Sequence, residues 1–313
     1  MTGGFFLGVD GGGSKTRFAL LDANRTLIGE AQLGTSYHPA IGLAAVRDTL
    51  ANGVASLLAN AGIDGSRVNY AFFGLPAFGE DGEATPVLQS MPASILRHDR
   101  YACDNDMVCG WAGSLGAADG INIVAGTGSI GYGRRRKKSA RVGGWGEAFS
   151  DEGSAYWIAT QGLNAYSRMS DGRLPRGPLH AVINDALKLG NDLDLCARVY
   201  GANAATRAEL AGLAPLVAKA AELGDVTALG VFRRAGDELA MLAQTLRHQL
   251  GYEPDEPAKL SWSGGAFAAG DLLMDPFKSA LGAGFEWCRP LHPPHVGAAL
   301  YAQRLWHEAR LGD

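Results

Sequence analysis

Two glycine-rich turns are the segments of this chain best suited to bind phosphate. The first, residues 8–16 (GVDGGGSKT), lies between an apolar run at 5–7 and a second β-like run at 17–22. Consecutive glycines let the backbone approach a ligand closely, and their N–H groups can form a concave nest for phosphate oxygens. Asp10 stands at the mouth of the turn, where a carboxylate suits a magnesium ion. We interpret the segment as a hairpin for the phosphates of ATP, with an ordinary glycine-rich turn as the alternative.

The second turn, residues 126–131 (GTGSIG), follows the apolar run 120–125 and has the spacing of a dinucleotide-binding fingerprint. That fingerprint opens a helix, whereas residues 132–138 read as a strand and a charged turn. The first turn is not a P-loop, because Ser14 occupies the lysine position and a P-loop also opens a helix. Two strand–turn–strand segments indicate a weak internal repeat, with a domain boundary near Ala118.

Acidic residues follow two predicted element boundaries. Asp104 and Asp106 lie where a strand gives way to a helix that begins at Met107. A carboxylate there can accept the proton of a substrate hydroxyl during phosphoryl transfer, or it can simply cap the helix. Asp151 and Glu152 pose the same choice, because they can bind a polyhydroxylated ligand or cap the helix that follows. The residues alone leave both choices open.

Apolar periodicity predicts a mixed α/β chain with helices between strands. In the first part we expect a strand at 26–33, a helix over 43–61 ended by Gly62, a strand at 68–75, a short strand at 94–97 and a helix over 107–115. In the second part we expect a strand on each side of the glycine turn, helices at 154–169, 239–250 and 296–310, and a strand at 259–263 before the glycines at 264–265.

Composition excludes several classes of protein. The chain has 313 residues, 47% of them hydrophobic, and a net charge of −4, so no basic field attracts nucleic acid or a membrane surface. The basic run 134–138 is interpreted as an exposed hairpin tip. The four cysteines lack the spacing of a metal site or a disulfide framework. With neither a signal peptide nor an apolar run of membrane length, the expected location is the cytoplasm.

Five sequence blocks occur in a recognisable order: GVDGGGSKT (8–16), DNDM (104–107), VAGTGSIGYG (124–133), SGGAFAAGDLL (263–273) and HVGAALYA (295–302). This order resembles that of the acetate kinase–sugar kinase–heat-shock-70–actin superfamily, and within it the chain is similar to the BadF/BadG/BcrA/BcrD ATPase family. A further pair of segments, GGWG (143–146) followed by SDEGSAYWIA (150–159), resembles the signature of the N-acetylglucosamine kinases of that family.

The resemblance implies two ribonuclease H-like domains of the actin-like ATPase type around an ATP cleft. The expected domains are residues 1–118 and 119–313, with packing of the last helix back onto the first domain as a further expectation. Domain closure on the sugar and a homodimer are also implied.

The resemblance assigns roles to individual residues. Asp10 is expected to hold Mg²⁺, and Asp106 is preferred to Asp104 as the catalytic base. The nucleotide is expected to contact Gly11, Gly12, Gly13, Ser14, Lys15, Thr16, Gly126, Thr127, Gly128, Ser129, Gly264 and Gly265. The sugar is expected to contact Asp106, Gly144, Trp145, Asp151, Glu152, Tyr37 and His38.

The implied activity is transfer of phosphate from ATP to O6 of an amino sugar, with N-acetylglucosamine as the first choice. Glucosamine and N-acetylmuramic acid stay open, because Ile130 replaces an asparagine common in N-acetylglucosamine kinases and the Tyr37–His38 loop also departs from their pattern. An ATP-driven activator of a 2-hydroxyacyl-CoA dehydratase or benzoyl-CoA reductase is the alternative from another class, although the cysteine spacing does not suit an iron–sulfur cluster. A sugar-sensing regulator is a third possibility.

Overall fold

The computed structural model describes residues 4–201 and 204–311, which divide into two compact units. The first unit runs from the start of the described chain to Gly120 and takes in the segment from Cys288 onward. The second unit is Ile121–Trp287. The boundary predicted near residue 118 lies close to this division, but the predicted second domain also contained residues 288–313.

Three strands begin each unit, and in the second unit they are followed by a run of helices with no intervening strand among the described residues. Up to residue 115 the chain forms β1 (Phe5–Asp10), β2 (Thr16–Leu21), β3 (Leu27–Leu33), α1 (His38–Ala61), β4 (Val68–Leu75), α2 (Ala84–Leu96), β5 (Tyr101–Asn105) and α3 (Met107–Leu115). The next elements are β6 (Gly120–Ala125), β7 (Ser129–Arg135), β8 (Lys138–Gly143), α4 (Ala155–Ser170), α5 (Pro178–Leu187), α6 (Asp194–Tyr200) and α7 (Arg207–Ala211). The last are α8 (Ala214–Glu222), α9 (Val226–Gln249), β9 (Ala258–Ser263), α10 (Asp271–Leu281), β10 (Phe285–Trp287) and α11 (Pro294–Leu311).

The sheet of the first unit has the order β3-β2-β1-β4-β5 in the described chain. β1 pairs with β2 antiparallel and with β4 parallel, and β4 pairs with β5 parallel. Phe6, Leu7 and Val9 are buried because β1 is central and covered on both faces. The parallel strands end at one edge, where the register aligns Asp10 with Gly74 and Gly74 with Asp104. Three segments that carry candidate site residues therefore meet there.

The sheet of the second unit has the order β10-β9-β6-β7-β8 among the described residues. Read in reverse, the order is β8-β7-β6-β9-β10, in which β6, β7, β8, β9 and β10 occupy the positions of β1, β2, β3, β4 and β5. The two sheets therefore have the same strand order. The parallel set is β6, β9 and β10, and β7 pairs antiparallel with β8. The internal repeat inferred from the two glycine turns thus extends to the whole sheet. The basic run at 134–138 spans the turn between β7 and β8, where residues 136–138 are exposed as predicted. The prediction of an exposed tip is wrong for Arg134, which is buried in β7.

One predicted strand is wrong. Residues 94–97 form the end of α2 and the residue that follows it, and the strand before Asp106 is β5. Leu88, Met91 and Leu96 are buried along α2, so their apolar side chains belong to a helical face. A window of four residues is too short to distinguish the hydrophobic period of a helix from that of a strand. The long helices predicted at 43–61, 107–115 and 239–250 are present.

The last helix packs on the sheet of the first unit, against β1, β4 and α3. At Gly8 the contact is so close that a Cβ atom would lie 2.2 Å from the backbone N of Ala299 and 2.5 Å from the carbonyl oxygen of His295. Gly297 approaches the backbone N of Gly113 equally closely, with 2.0 Å for a built Cβ. Glycine is therefore required on both surfaces of this contact. None of the helices in the described ranges is long and apolar enough to cross a membrane.

We expect Gly8→Ala to lower the free energy of unfolding by about 2–3 kcal/mol, because overpacking against backbone atoms cannot be relieved by a rotamer change. Gly13→Ala is the matched control, since no described atom lies within 4 Å of a Cβ built there. Urea denaturation of both variants measures the difference. Equal stability of the two variants would contradict this account of the contact between α11 and β1.

Candidate functional site

The first glycine turn has a fixed base and an exposed tip. The backbone N–H of Gly11 donates to the carbonyl oxygen of Gly74 at 2.8 Å, which extends the β1–β4 pairing by one residue. A side chain at Gly11 would collide with Ser36 Oγ, 2.3 Å from the built Cβ. Gly13 to Lys15 are exposed. The hairpin can therefore offer its N–H groups to a ligand while its base stays fixed.

The loop after β3 is attached to this hairpin. Thr35 Oγ1 donates to the carbonyl oxygen of Gly12 at 2.8 Å, and the N–H of Tyr37 donates to Thr35 Oγ1 at 2.9 Å. Tyr37 is 37% exposed, whereas His38 is buried with its Nε2 3.8 Å from Asp81 Oδ2. Of the two residues in this loop that are predicted to contact the sugar, Tyr37 is thus the more accessible.

Asp10, at the edge of the first sheet, has a carboxyl group with a strongly raised pKa. Burial raises its pKa to about 7, the charge of Asp106 adds to the rise, and the nearby charges of Arg17 and Lys15 only partly oppose it. The buried thiol of Cys109 lies 3.5 Å from the Val9 carbonyl oxygen and hydrogen bonds to the Asp10 carboxylate. Burial and the neighbouring carboxylates raise the pKa of Cys109 well above its usual value, so the thiol remains a neutral donor.

Gly74 makes room for this arrangement. A Cβ built on Gly74 would lie 2.2 Å from Cys109 Sγ and 3.3 Å from the Cα of Asp106. Any side chain there would push α3 away from the ends of β1 and β4. Gly74 therefore sets the approach of Asp106 to Asp10, a role that no local sequence pattern indicated.

The structure distinguishes the two roles, proton acceptor and helix cap, that the sequence allows for the acidic residues of segment 104–106. Asn105 Oδ1 accepts a hydrogen bond from the N–H of Met107 at 3.2 Å, and Asp104 Oδ1 accepts one from the N–H of Asn105 at 2.7 Å. Asp106 occupies the N-cap position of α3, but its side chain makes no capping hydrogen bond to the described helix. Asn105 supplies the local bond instead, and the N-cap role predicted as the alternative for Asp106 is not observed.

The donor set at this edge fits magnesium. No group of three or more metal-ligating side chains occurs in the described ranges. Mg²⁺ usually takes one or two protein carboxylates, keeps several waters and gains its other ligands from phosphates, so a closed protein cage is not needed. Asp10 and Asp106 are oxygen donors beside a glycine hairpin, which is the arrangement that this mode of binding requires.

The second hairpin is bonded to the loop at 150–155. The N–H of Ala155 donates to the carbonyl oxygen of Gly126 at 2.9 Å, and Ser129 Oγ donates to the carbonyl oxygen of Glu152 at 2.6 Å. Gly264, with φ of 107°, lies against the end of β6, and a Cβ there would be 2.3 Å from the Ala125 carbonyl oxygen. The structure thus brings together the predicted phosphate turn and the predicted adenosine contact within the second unit.

Asp151 is buried, at 3% exposure, and has a left-handed φ of 62°. Its carboxylate accepts hydrogen bonds from the backbone N–H groups of Ser129 and Gly146 and pairs with Arg207. Burial raises its pKa and the Arg207 guanidinium opposes that rise. The helix cap is Ser154, whose Oγ accepts from the N–H of Trp157 at 3.1 Å, so the capping role predicted as the alternative for Asp151 is not observed.

The GGWG segment forms an open loop beside these groups. Gly144 and Gly146 have positive φ values of 71° and 98°, and Trp145 is 75% exposed. Ile130 packs against Gly144, where a Cβ would lie 2.6 Å from Ile130 Cδ1. An asparagine at position 130 could donate a hydrogen bond, whereas the side chain of Ile130 makes an apolar contact with Gly144.

Two units with the same sheet order, each beginning with a glycine hairpin, define an actin-like ATPase fold. The chain belongs to the BadF/BadG/BcrA/BcrD ATPase family, whose model matches residues 7–302. This membership confirms the family resemblance inferred from the sequence.

Individual relatives cover nearly the whole chain. An N-acetylmuramic acid/N-acetylglucosamine kinase of Clostridium acetobutylicum is 28% identical over 88% of this chain and 90% of its own length. An N-acetyl-D-glucosamine kinase of Dictyostelium discoideum is 26% identical over 95% and 97%. The structure of a candidate N-acetylglucosamine kinase from Chromobacterium violaceum matches with a TM-score of 0.71 at 25% identity, covering 97% of this chain and 100% of that one.

The pKa of Asp10 predicts a pH-dependent stability in metal-free protein. The folded-state pKa of about 7 exceeds the ordinary value near 4, so the stabilising contribution is complete below about pH 4 and is lost as the pH rises through 7. Three pKa units correspond to about 4 kcal/mol, which bounds the effect.

We therefore expect Asp10→Asn to flatten the decline in the free energy of unfolding between pH 5 and pH 8, measured in EDTA. Asp48→Asn, which removes a carboxylate that is 67% exposed on α1, is the control and should follow the parent protein. Identical pH profiles for Asp10→Asn and the parent would show that Asp10 titrates normally.

Proposed function

We propose that the protein transfers the γ-phosphoryl group of ATP to the O6 hydroxyl of an amino sugar, with N-acetylglucosamine as the preferred acceptor. The observation that carries the proposal is the position of Asp106 beside the half-buried Asp10 at the edge formed by β1, β4 and β5. Family membership and the two kinase relatives support the same reaction.

Asp106 is the proposed general base. It lies at the start of α3, and its side chain makes no capping hydrogen bond to that helix. As the sugar oxygen forms its bond to the γ-phosphorus, Asp106 accepts the hydroxyl proton and the bond from phosphorus to the ADP oxygen breaks. ADP is the leaving group.

The proposed nucleotide contacts come from both hairpins. Backbone N–H groups of Gly11 to Gly13 and of Gly126 to Ser129 would hold phosphate oxygens, and the exposed Lys15 can add a positive charge. Gly264 and Gly265 would contact the adenosine. Asp10 is the candidate carboxylate for Mg²⁺, which neutralises phosphate charge when bound.

The proposed sugar contacts are the exposed Trp145 and Tyr37 together with Asp106, Gly144, Asp151, Glu152 and His38. Trp145 and Tyr37 present aromatic faces on loops, where they can pack against the apolar face of a sugar ring. A cytoplasmic homodimer is the state that we propose for the protein.

Incubation of the purified protein with ATP, Mg²⁺ and a panel of sugars tests the reaction. The panel contains N-acetylglucosamine, glucosamine, N-acetylmuramic acid and glucose, with a sugar-free control. We expect ADP release to depend on an amino sugar, to be fastest with N-acetylglucosamine and to yield the 6-phosphate by ³¹P–¹H NMR. The proposal would be refuted if none of the sugars raised the rate of ADP release above that of the sugar-free control.

Asp106→Asn tests the base. We expect kcat to fall by about 10²–10⁴-fold, the usual contribution of general base catalysis, while ATP binding measured by calorimetry is retained. Asp104→Asn is the matched variant, because its carboxylate lies two residues away and accepts a hydrogen bond from the N–H of Asn105. The opposite ranking, with Asp104→Asn inactive and Asp106→Asn active, would move the base to Asp104.

A further inference from the structure

Arg207 joins two acidic residues of the loop that contains Trp145. It is the first residue of α7, which begins with a capping box between Thr206 and Glu209. Its Nε lies 3.1 Å from Glu147 Oε2, and its Nη2 hydrogen bonds to Asp151 Oδ2. Arg207 is 41% exposed while Asp151 is 3% exposed, so the guanidinium covers a carboxylate that lies behind it.

The Asp151 carboxylate connects three segments of the second unit. It accepts hydrogen bonds from the N–H of Ser129 in the phosphate hairpin and from the N–H of Gly146 in the GGWG loop, and it pairs with Arg207 on α7. A buried carboxylate needs such partners, because an unpaired charge in this position is costly. Without Arg207, two amides would remain to stabilise the charge.

Gly128 shows how closely the pair approaches the hairpin. A Cβ built on Gly128 would lie 2.6 Å from Arg207 Nη2 and 2.6 Å from Asp151 Oδ2. Only glycine fits between the hairpin backbone and this ion pair. The second glycine of the GTGS turn is therefore needed for the Arg207–Asp151 contact, whatever its role toward the nucleotide.

Apolar packing holds little of the loop in place. Trp145 and Phe149 are 75% and 76% exposed, and the backbone has positive φ at Gly144, Gly146 and Asp151. Arg141 Nη2 donates to the carbonyl oxygen of Gly144 at 2.6 Å and anchors the start of the loop. Arg207 bonds to Glu147 and Asp151 in its later part.

We propose that Arg207 is a positioning residue for sugar binding, which fixes residues 144–151 against the phosphate hairpin through its pairing with Asp151 and Glu147. The proposal rests on the proposed function insofar as the loop contacts the sugar. Loss of the guanidinium frees the loop and reduces affinity for the sugar, while the nucleotide-binding backbone remains in place.

Steady-state kinetics of three variants test the role. We expect Arg207→Met to raise the KM for N-acetylglucosamine by about 10- to 100-fold, the range expected for a misplaced binding group, with the KM for ATP within about twofold. Arg207→Lys keeps one charge and should recover part of the affinity. Arg173→Met is the control, because Arg173 forms a 2.6 Å surface pair with Asp171 in the same unit and should leave both KM values unchanged.

Hydrogen–deuterium exchange of the ligand-free proteins gives a readout that needs no turnover. Peptides that cover residues 144–151 should exchange faster in Arg207→Met than in Arg173→Met, while peptides from α9 report that the fold is intact. Faster exchange in α9 as well, or an unchanged loop, would overturn the positioning role. So would an unchanged sugar KM in an active enzyme, or Arg207→Lys as impaired as Arg207→Met.

The two readouts separate the proposals. A parent protein without sugar-dependent turnover would refute the proposed function and with it the role of Arg207 in sugar binding. Hydrogen–deuterium exchange would then still show whether Arg207 orders the loop at residues 144–151.

Discussion

The half-buried carboxyl group of Asp10 is the constraint on which the first unit depends. A carboxylate at the end of a central strand, close to a second carboxylate, is unfavourable unless it is protonated or meets a cation. Its position follows from the pairing of β1 with β4, from the absence of a side chain at Gly74 and from the neutral thiol of Cys109. The same contacts bring α3, and with it Asp106, to the edge of the sheet.

The buried carboxylate of the second unit, Asp151, is stabilised in a different way. Asp151 is also desolvated, yet the Arg207 guanidinium and two backbone N–H groups stabilise its charge within the unit. Asp10 lacks a comparable ion pair in the described chain, since Arg17 and Lys15 only partly offset its burial. The two carboxylates therefore suit different tasks: Asp10 can respond to an added cation, whereas Asp151 holds a loop and a hairpin together.

Much of this architecture could be predicted from local sequence. The glycine turns at 8–16 and 126–131 identified both hairpins because no other residue allows such close backbone approaches, and apolar spacing located α1, α3 and α9. The strand at 94–97 was wrong because four residues cannot distinguish the periods. Gly74, Cys109 and Arg207 were missed because their importance comes from contacts across the fold. Gly74 contacts Cys109, 35 positions away, and Cys109 contacts Val9, 100 positions away. Arg207 pairs with Asp151, 56 positions away. No local pattern marks such residues.

A ¹³C NMR titration of the Asp10 carboxyl group tests most directly the claim that its surroundings hold the pKa of this group well above its usual value until a cation binds. With the Asp10→Asn variant to assign the resonance, we predict a pKa of about 7 in metal-free protein and a clear fall when Mg²⁺ and a non-hydrolysable ATP analogue are added. An ordinary pKa near 4 in the metal-free protein, or a pKa of about 7 that the metal nucleotide leaves unchanged, would contradict the account.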